Sequence, residues 1–275
     1  IENIDIGGPT MVRAAAKNYN DVTIITSTNQ YSELISQLKT YKGSTTQEFR
    51  KRMSQQAFSE TAYYDSAISN YFSKISNIRF PQKRIIHGNL IERLRYGENP
   101  HQESAIYSES SNLKLNKVHG KELSYNNYND VFSALEISKS LPKNTGTVIV
   151  KHANPCGVSV HKNNLNSYKA ALACDPISAF GGIVSCNFRV TKPIALELNK
   201  IFLEVVIANG FDKSSLKILK SKKNLRLIDA SNYLLDGIMK SNSSNRSILV
   251  QTEDKQIFLK KNFQVVSKKK PSKSQ

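Results

Sequence analysis

Apolar residues cluster in four short runs in the second half of the chain, at residues 147–150, 183–186, 205–208 and 225–228. Runs of this length, rich in Val and Ile and set off by turn-forming residues, predict buried strands. Between and around them, apolar residues recur every three or four positions. That spacing predicts helices at 131–141, 165–174, 193–202 and 214–220, with Asn129 and Asp130 placed to cap the first. Strand and helix thus alternate, as in an α/β fold. Weaker strand signals lie at 105–107, 114–118, 247–250, 256–259 and 264–266, with a turn at His119-Gly120-Lys121.

The first half reads differently. A short strand at 4–6 runs into Gly7-Gly8-Pro9, and a helix follows at 11–18 with Pro9 in its first turn. A strand at 22–26 and a helix at 31–39 come next. Residues 45–76 form one amphipathic stretch in which Phe49, Met53, Ala57, Tyr64, Ile68, Tyr71 and Ile75 keep helical spacing. Thr45 and Glu48 fit a capping box at its start. The stretch reads as a connector between domains, and residues 77–83, with Pro81, read as a linker.

A length of 275 residues suffices for two domains with real cores. The formal net charge is +17, but the lysines are dispersed, and the only dense basic run is Lys268-Lys269-Lys270-Pro271-Ser272-Lys273. This is the pattern of a solvated surface, so no nucleic-acid partner is expected. No apolar run approaches the roughly 20 residues of a membrane helix. Three scattered cysteines, at 156, 174 and 186, point to a reducing, cytoplasmic setting without disulfides. Both ends read as cut from a longer protein.

Candidate chemistry gathers in four places. Lys151-His152 follows the strand at 147–150, and Asn154-Pro155 and Gly157 supply turn chemistry after it. A histidine beside a cation can stay neutral and accept a proton, and the lysine can meet negative charge on a reacting oxygen. Gly7 and Gly8, next to Asp5, precede a helix, where backbone N–H groups suit a phosphate. Arg95-Tyr96 opens a polar loop through Gln102; arginine grips phosphate and tyrosine stacks on heterocycles. Asp175-Pro176 through Gly182 is a second glycine-bearing loop. A zinc deaminase signature fails in both halves: the pattern needs H-x-E and P-C-x-x-C, and here Asn154 stands in place of the Glu and Ser159 in place of the second Cys. No metal is expected.

Taken in order, Asp5 through Asn18, Arg95 through Gln102, Lys151 through Gly157 and Asp175 through Gly182 closely resemble the bifunctional purine-biosynthesis family of AICAR transformylase/IMP cyclohydrolase. The resemblance runs from residue 1 to about residue 270. It implies that residues 1–87 are the later part of a Rossmann-like (methylglyoxal-synthase-like) cyclohydrolase domain with its connecting helix. Residues 88–275 would begin a cytidine-deaminase-like transformylase domain. It further implies formyl transfer from formyltetrahydrofolate, a co-substrate, to the 5-amino group of AICAR ribonucleotide, and then dehydrative ring closure of the formylated product to IMP. Matched position by position, Lys151 and His152 are the transformylase catalytic pair and Lys17 is a cyclohydrolase catalytic group. Asp5, Gly7, Gly8, Arg95, Tyr96, Gly181 and Glu204 match nucleotide-binding positions. Some members carry an Asn near Ser133, and no role is assigned there. The full-length family protein is expected to pair as a homodimer, and this chain alone is expected to catalyse neither step.

Overall fold

The computed structural model describes residues 1–110, 112–233, 240–254, 264–270 and 272. The chain divides into two compact units, residues 1–113 and 114–275.

The first unit is mainly helical: α1 Gly7–Lys17, α2 Tyr31–Thr40 and α3 Gln47–Ile75, followed by the antiparallel hairpin of β1 Asn89–Leu94 and β2 Ser104–Ser108. Helix α1 starts earlier than its apolar pattern, taking Gly7, Gly8 and Pro9 into its first turn. Its buried Ala16 lies against α3, where the Ser54 hydroxyl donates to the Ala16 carbonyl at 2.6 Å. Thr46, not Thr45, caps α3, accepting the Phe49 N–H. Thr45 is engaged instead with the Thr23 hydroxyl at 2.7 Å. The strands expected at 4–6 and 22–26 are not formed among the described residues. Residues 22–26 are half-buried, but none of the described strands pairs with them, and an apolar run becomes a strand only when a neighbour takes its backbone hydrogen bonds.

The second unit is a mixed α/β fold on a six-stranded sheet, in spatial order β3-β8-β7-β6-β4-β5. The strands are β3 Asn116–His119, β4 Gly146–Lys151, β5 Asn154–Val160, β6 Ile183–Cys186, β7 Val205–Ala208 and β8 Arg226–Asp229. Strands β6, β7 and β8 are parallel, while β4 runs antiparallel to β6 and forms a hairpin with β5. The four apolar runs are the four central strands. They are legible because both faces are covered. Helix α4 (Tyr125–Ser140) buries Val131, Ala134 and Leu135 against Val148, Val150 and Ile207 on one face. On the other, α5 (Asn164–Cys174), α6 (Lys192–Leu198) and α7 (Lys213–Leu219) bury Tyr168, Ile194, Leu198 and Leu219 against Ile149, Val184 and Val206. Each fully buried large aliphatic or aromatic side chain contributes about 1.5–3 kcal/mol. A further hairpin, β9 Lys240–Ser244 with β10 Ser247–Gln251, follows.

Three expectations change here. Asn154-Pro155 does not end the strand structure; it begins β5. Pro155 is tolerated because β5 is an edge strand, where a missing N–H costs no ladder bond. Helix α4 begins six residues before the position expected for it, because Ser124 and Asn127 cap it reciprocally, so Asn129 and Asp130 lie inside the helix. Residues 264–266 form no strand, and 256–259 lie outside the described residues.

Candidate active site

Because β4 runs against its neighbours, its carboxyl end meets the amino ends of β6, β7 and β8. The chemistry of the second unit collects at that rim, not at the carboxyl ends of the parallel strands where open α/β sheets usually bind ligands. Lys151 ends β4, and its Nζ donates to the Phe180 carbonyl at 3.0 Å. Glu204 lies immediately before β7 and Arg226 opens β8. The Arg226 guanidinium stands 3.6 Å from the Glu204 carboxylate. Asn127, in the first turn of α4, donates from Nδ2 to Glu204 Oε2 at 2.7 Å. A carboxylate between an amide donor and a guanidinium is held in a fixed orientation.

His152 and Ala153 are the whole connection between β4 and β5, and both are left-handed, with φ of 54° and 58°. A two-residue hairpin turn with φ positive at both positions ordinarily carries Asn-Gly or a similar pair. For residues with a Cβ the left-handed region costs about 1–2 kcal/mol each. The turn is held from two sides: the Ala153 N–H donates to Asp130 Oδ1 of α4 at 2.6 Å, and Asn154 Nδ2 donates to the His152 carbonyl at 2.9 Å. The His152 side chain is left exposed at the rim. Strain fixed in place by outside contacts is a feature of functional sites.

Burial raises the Asp130 pKa above its ordinary value, against smaller downward pulls from the Ala153 N–H and from His152; nearby Glu204 adds to the rise. The sign follows from linkage. A carboxyl with a raised folded-state pKa holds its proton after the unfolded chain has lost it, so this group's contribution to stability falls as pH rises from the ordinary 3.8 upward. Asp175 and Asp212, lowered chiefly by hydrogen bonds from Ser178 and Ser215, slope the opposite way. The Asp130 contribution is therefore read as a difference. Asp130→Asn should gain stability relative to wild type as pH rises through that window, in parallel thermal melts at several acid pH values. A constant difference across pH would contradict the assignment.

Gly181 adopts φ of 73° and donates its N–H to the Phe202 carbonyl at 2.9 Å. This brings the exposed rings of Phe180 and Phe202 together, with centroids 5.4 Å apart, next to the carbonyl that Lys151 holds. Lys151, His152, Gly181 and Glu204 thus share one rim. Asn127, Asp130, Arg226 and the two phenylalanines join them, though the sequence singled out none of these five as site residues. Ser133 donates to the Asn129 carbonyl within α4, and the amide that reaches Glu204 is that of Asn127. The pattern Ser124-x-x-Asn127 was the available signal, since it marks a helix start. Among the described residues, no group of three or more His, Cys, Asp or Glu is placed to hold a metal ion.

In the first unit, Asp5 Oδ1 accepts the Gly8 N–H at 2.9 Å, so this carboxylate already occupies one donor of the α1 amino end. Tyr64 Oη accepts the Asp5 N–H at 2.9 Å. Lys17 lies in the last turn of α1, about 15 Å along the helix from Gly7 at 1.5 Å per residue. The two ends therefore address different parts of any single ligand. Arg95 and Tyr96 begin the β1–β2 connection, with the guanidinium 5.7 Å from the ring centre. Gln102 braces that loop, accepting the Asn99 N–H through its side chain at 2.7 Å and the Gly97 N–H through its carbonyl at 2.7 Å.

The sequence profile of the AICARFT/IMPCHase bienzyme family matches residues 15–275. The chain belongs to that family. Curated relatives of the bienzyme family include proteins described as bifunctional purine biosynthesis protein PurH. That of Thermoanaerobacter sp. is 43% identical over 99% of this chain and 54% of its own length. Those of Rhizobium rhizogenes and Prochlorococcus marinus are 42% and 44% identical, each over 99% of this chain and 52% and 54% of their own. The chain thus spans about half the length of these relatives. Among solved structures, RibD form 2 of Acinetobacter baumannii matches 36% of this chain and 34% of its own at 19% identity, with a TM-score of 0.28, a likeness too low to bear on fold. No helix among the described residues is long and apolar enough to cross a membrane.

Proposed function

We propose that the second unit carries the formyl-transfer site of the bienzyme, with formyltetrahydrofolate as donor and AICAR ribonucleotide as acceptor. The observation that carries this reading is the rim itself. The His152 imidazole, the Lys151 ammonium and the Glu204 carboxylate gathered there support the reading, because formyl transfer calls for groups of these kinds. The acceptor amine is conjugated into an imidazole ring and is a weak nucleophile. As its nitrogen attacks the formyl carbon, the exposed His152 ring takes the proton that the nitrogen must lose. The formyl oxygen gains negative charge in the tetrahedral intermediate, and Lys151 supplies an N–H toward it. Its ammonium has three donors, and the Phe180 carbonyl uses one. Collapse of the intermediate restores the carbonyl and expels the folate nitrogen, which takes the proton that His152 accepted. Glu204 suits nucleotide hydroxyl or amide donors, the Gly181 turn lets the nucleotide approach the backbone, and Phe180 with Phe202 offers a flat apolar face to a heterocycle.

Residues 88–275 are read as the start of a cytidine-deaminase-like transformylase domain, and 1–87 as the later part of a Rossmann-like cyclohydrolase domain. Arg95 and Tyr96 would hold nucleotide in the first of these. Asp5, Gly7 and Gly8 would bind nucleotide in the second, where Lys17 would polarise the formyl oxygen during ring closure. The full-length protein is read as a homodimer. A chimera in which this chain replaces the matching half of the Thermoanaerobacter relative tests the proposal. It should formylate AICAR ribonucleotide, and Glu204→Ala should raise the nucleotide KM by about tenfold or more, the scale of a lost charged hydrogen bond. Lys17→Met should impair ring closure alone. A soluble chimera without folate-dependent product would end the reading.

A further inference from the structure

We propose that Asp130 is the positioning residue of the formyl-transfer site: its carboxylate, accepting the Ala153 N–H, holds the His152-Ala153 turn in its left-handed form and so aims the His152 ring. This rests on the reading of His152 as the proton acceptor, and it adds a residue that the motif does not contain. The turn has no glycine to relax it, and both of its residues sit at positive φ. Of the contacts that restrain it, the one from Asn154 belongs to the hairpin itself and moves with it. The one from Asp130 comes from α4, whose start is fixed by the reciprocal Ser124–Asn127 cap and whose body is buried against the sheet. Asp130, which also takes a backbone hydrogen bond from His152, thus ties the turn to the scaffold rather than to its own strand.

The same first two turns of α4 carry Asn127, which orients Glu204. One helix end therefore holds both the turn that carries His152 and the Glu204 carboxylate. The ionisable groups facing Asp130 are His152 from the hairpin and Glu204 from the segment before β7. Arg226 balances Glu204 from β8. A carboxylate that only capped or packed a helix would not bond to a backbone N–H in another element, 23 residues along the chain.

Amide hydrogen exchange on this chain tests the proposal. Asp130→Ala should speed exchange at Ala153 about tenfold, the factor a lost amide hydrogen bond of ordinary strength allows. Exchange at Ile149 and Val184 in the core should be unchanged. Asp130→Asn keeps an acceptor oxygen in place and should restore wild-type exchange at Ala153, whereas Asp130→Leu, which fills the space without an acceptor, should exchange as fast as Asp130→Ala. Unchanged exchange at Ala153 in Asp130→Ala, or exchange as fast in Asp130→Asn as in Asp130→Ala, overturns the proposal. If Asp130→Ala does not fold, the Ala153 amide proton decides. Its chemical shift should follow an acid titration in wild type and not in Asp130→Asn, and a titration-silent Ala153 overturns it. These readouts do not depend on turnover. Altered exchange with full activity in His152→Ala would remove the functional reading and leave the clamp, and the reverse pair of results would remove the clamp alone.

Discussion

His152→Ala in the full-length chimera lowers formyl transfer by about 100-fold or more and leaves ring closure intact. The size follows from the role: a positioned general base is worth roughly 10²–10⁴ in rate. Stability should barely change, because His152 is exposed, and surface changes away from special features usually stay within about 0.5 kcal/mol. The turn is the one special feature to control for. Asn tolerates the left-handed region better than most residues, so His152→Asn should keep or slightly tighten the hairpin while being as inactive as the alanine variant. Loss of transfer in both variants, with melts that differ in the opposite sense, separates chemistry from turn geometry. Formyl transfer within a few-fold of wild type in either variant would remove His152 from the mechanism.

The rim of the second unit was partly legible in the sequence, and the division has a physical cause. Lys151 and His152 stand out because a fully buried strand is a run of apolar residues whose end is easy to see. The central strands β4, β6, β7 and β8 are legible for the same reason. Strand β5 is not. It is an edge strand with exposed Val158 and Val160, and it opens on Asn154-Pro155, which in sequence reads as a terminator. Nor does the turn announce itself, since His-Ala lacks the Asn-Gly signal that such turns usually carry. The start of α4 is hidden in Tyr125-Asn126-Asn127-Tyr128-Asn129-Asp130, a stretch of weak helix formers. They become helical through the Ser124–Asn127 cap and through packing against the sheet. That misplacement of the helix start kept Asn127 and Asp130 out of the expected site. In the first unit, residues 4–6 and 22–26 show the converse: an apolar pattern specifies a strand only where a partner completes its hydrogen bonds.

Gly157→Ala should destabilise the second unit by about 3 kcal/mol, with Gly157→Val costing more. Gly157 is buried in β5, opposite Ile149 of β4. A Cβ built there falls 2.0 Å from the Ala171 carbonyl oxygen and 2.9 Å from its carbon. Both are backbone atoms of α5, so no side-chain rotation relieves the clash. Either the helix or the edge strand must move. Helix α5 is pinned by Tyr168 and Ala171, both buried in the cluster that contains Ile149 and Val184. Moving it opens space in a close-packed core, and overpacking of this kind typically costs 1–3 kcal/mol or more. Moving β5 instead disturbs Asn154 and the His152-Ala153 turn that it closes. A 3 kcal/mol loss is a large fraction of the 5–15 kcal/mol that a domain ordinarily has. Val158→Ala, one residue away and 38% exposed, is the matched control and should cost less than about 1 kcal/mol. Slow amide exchange at Ile149 reports on this unit specifically. Its protection should fall by about two orders of magnitude in Gly157→Ala and stay near wild type in Val158→Ala. Equal protection in the two variants would mean that α5 yields freely and that contact between strand and helix does not set the stability of the rim.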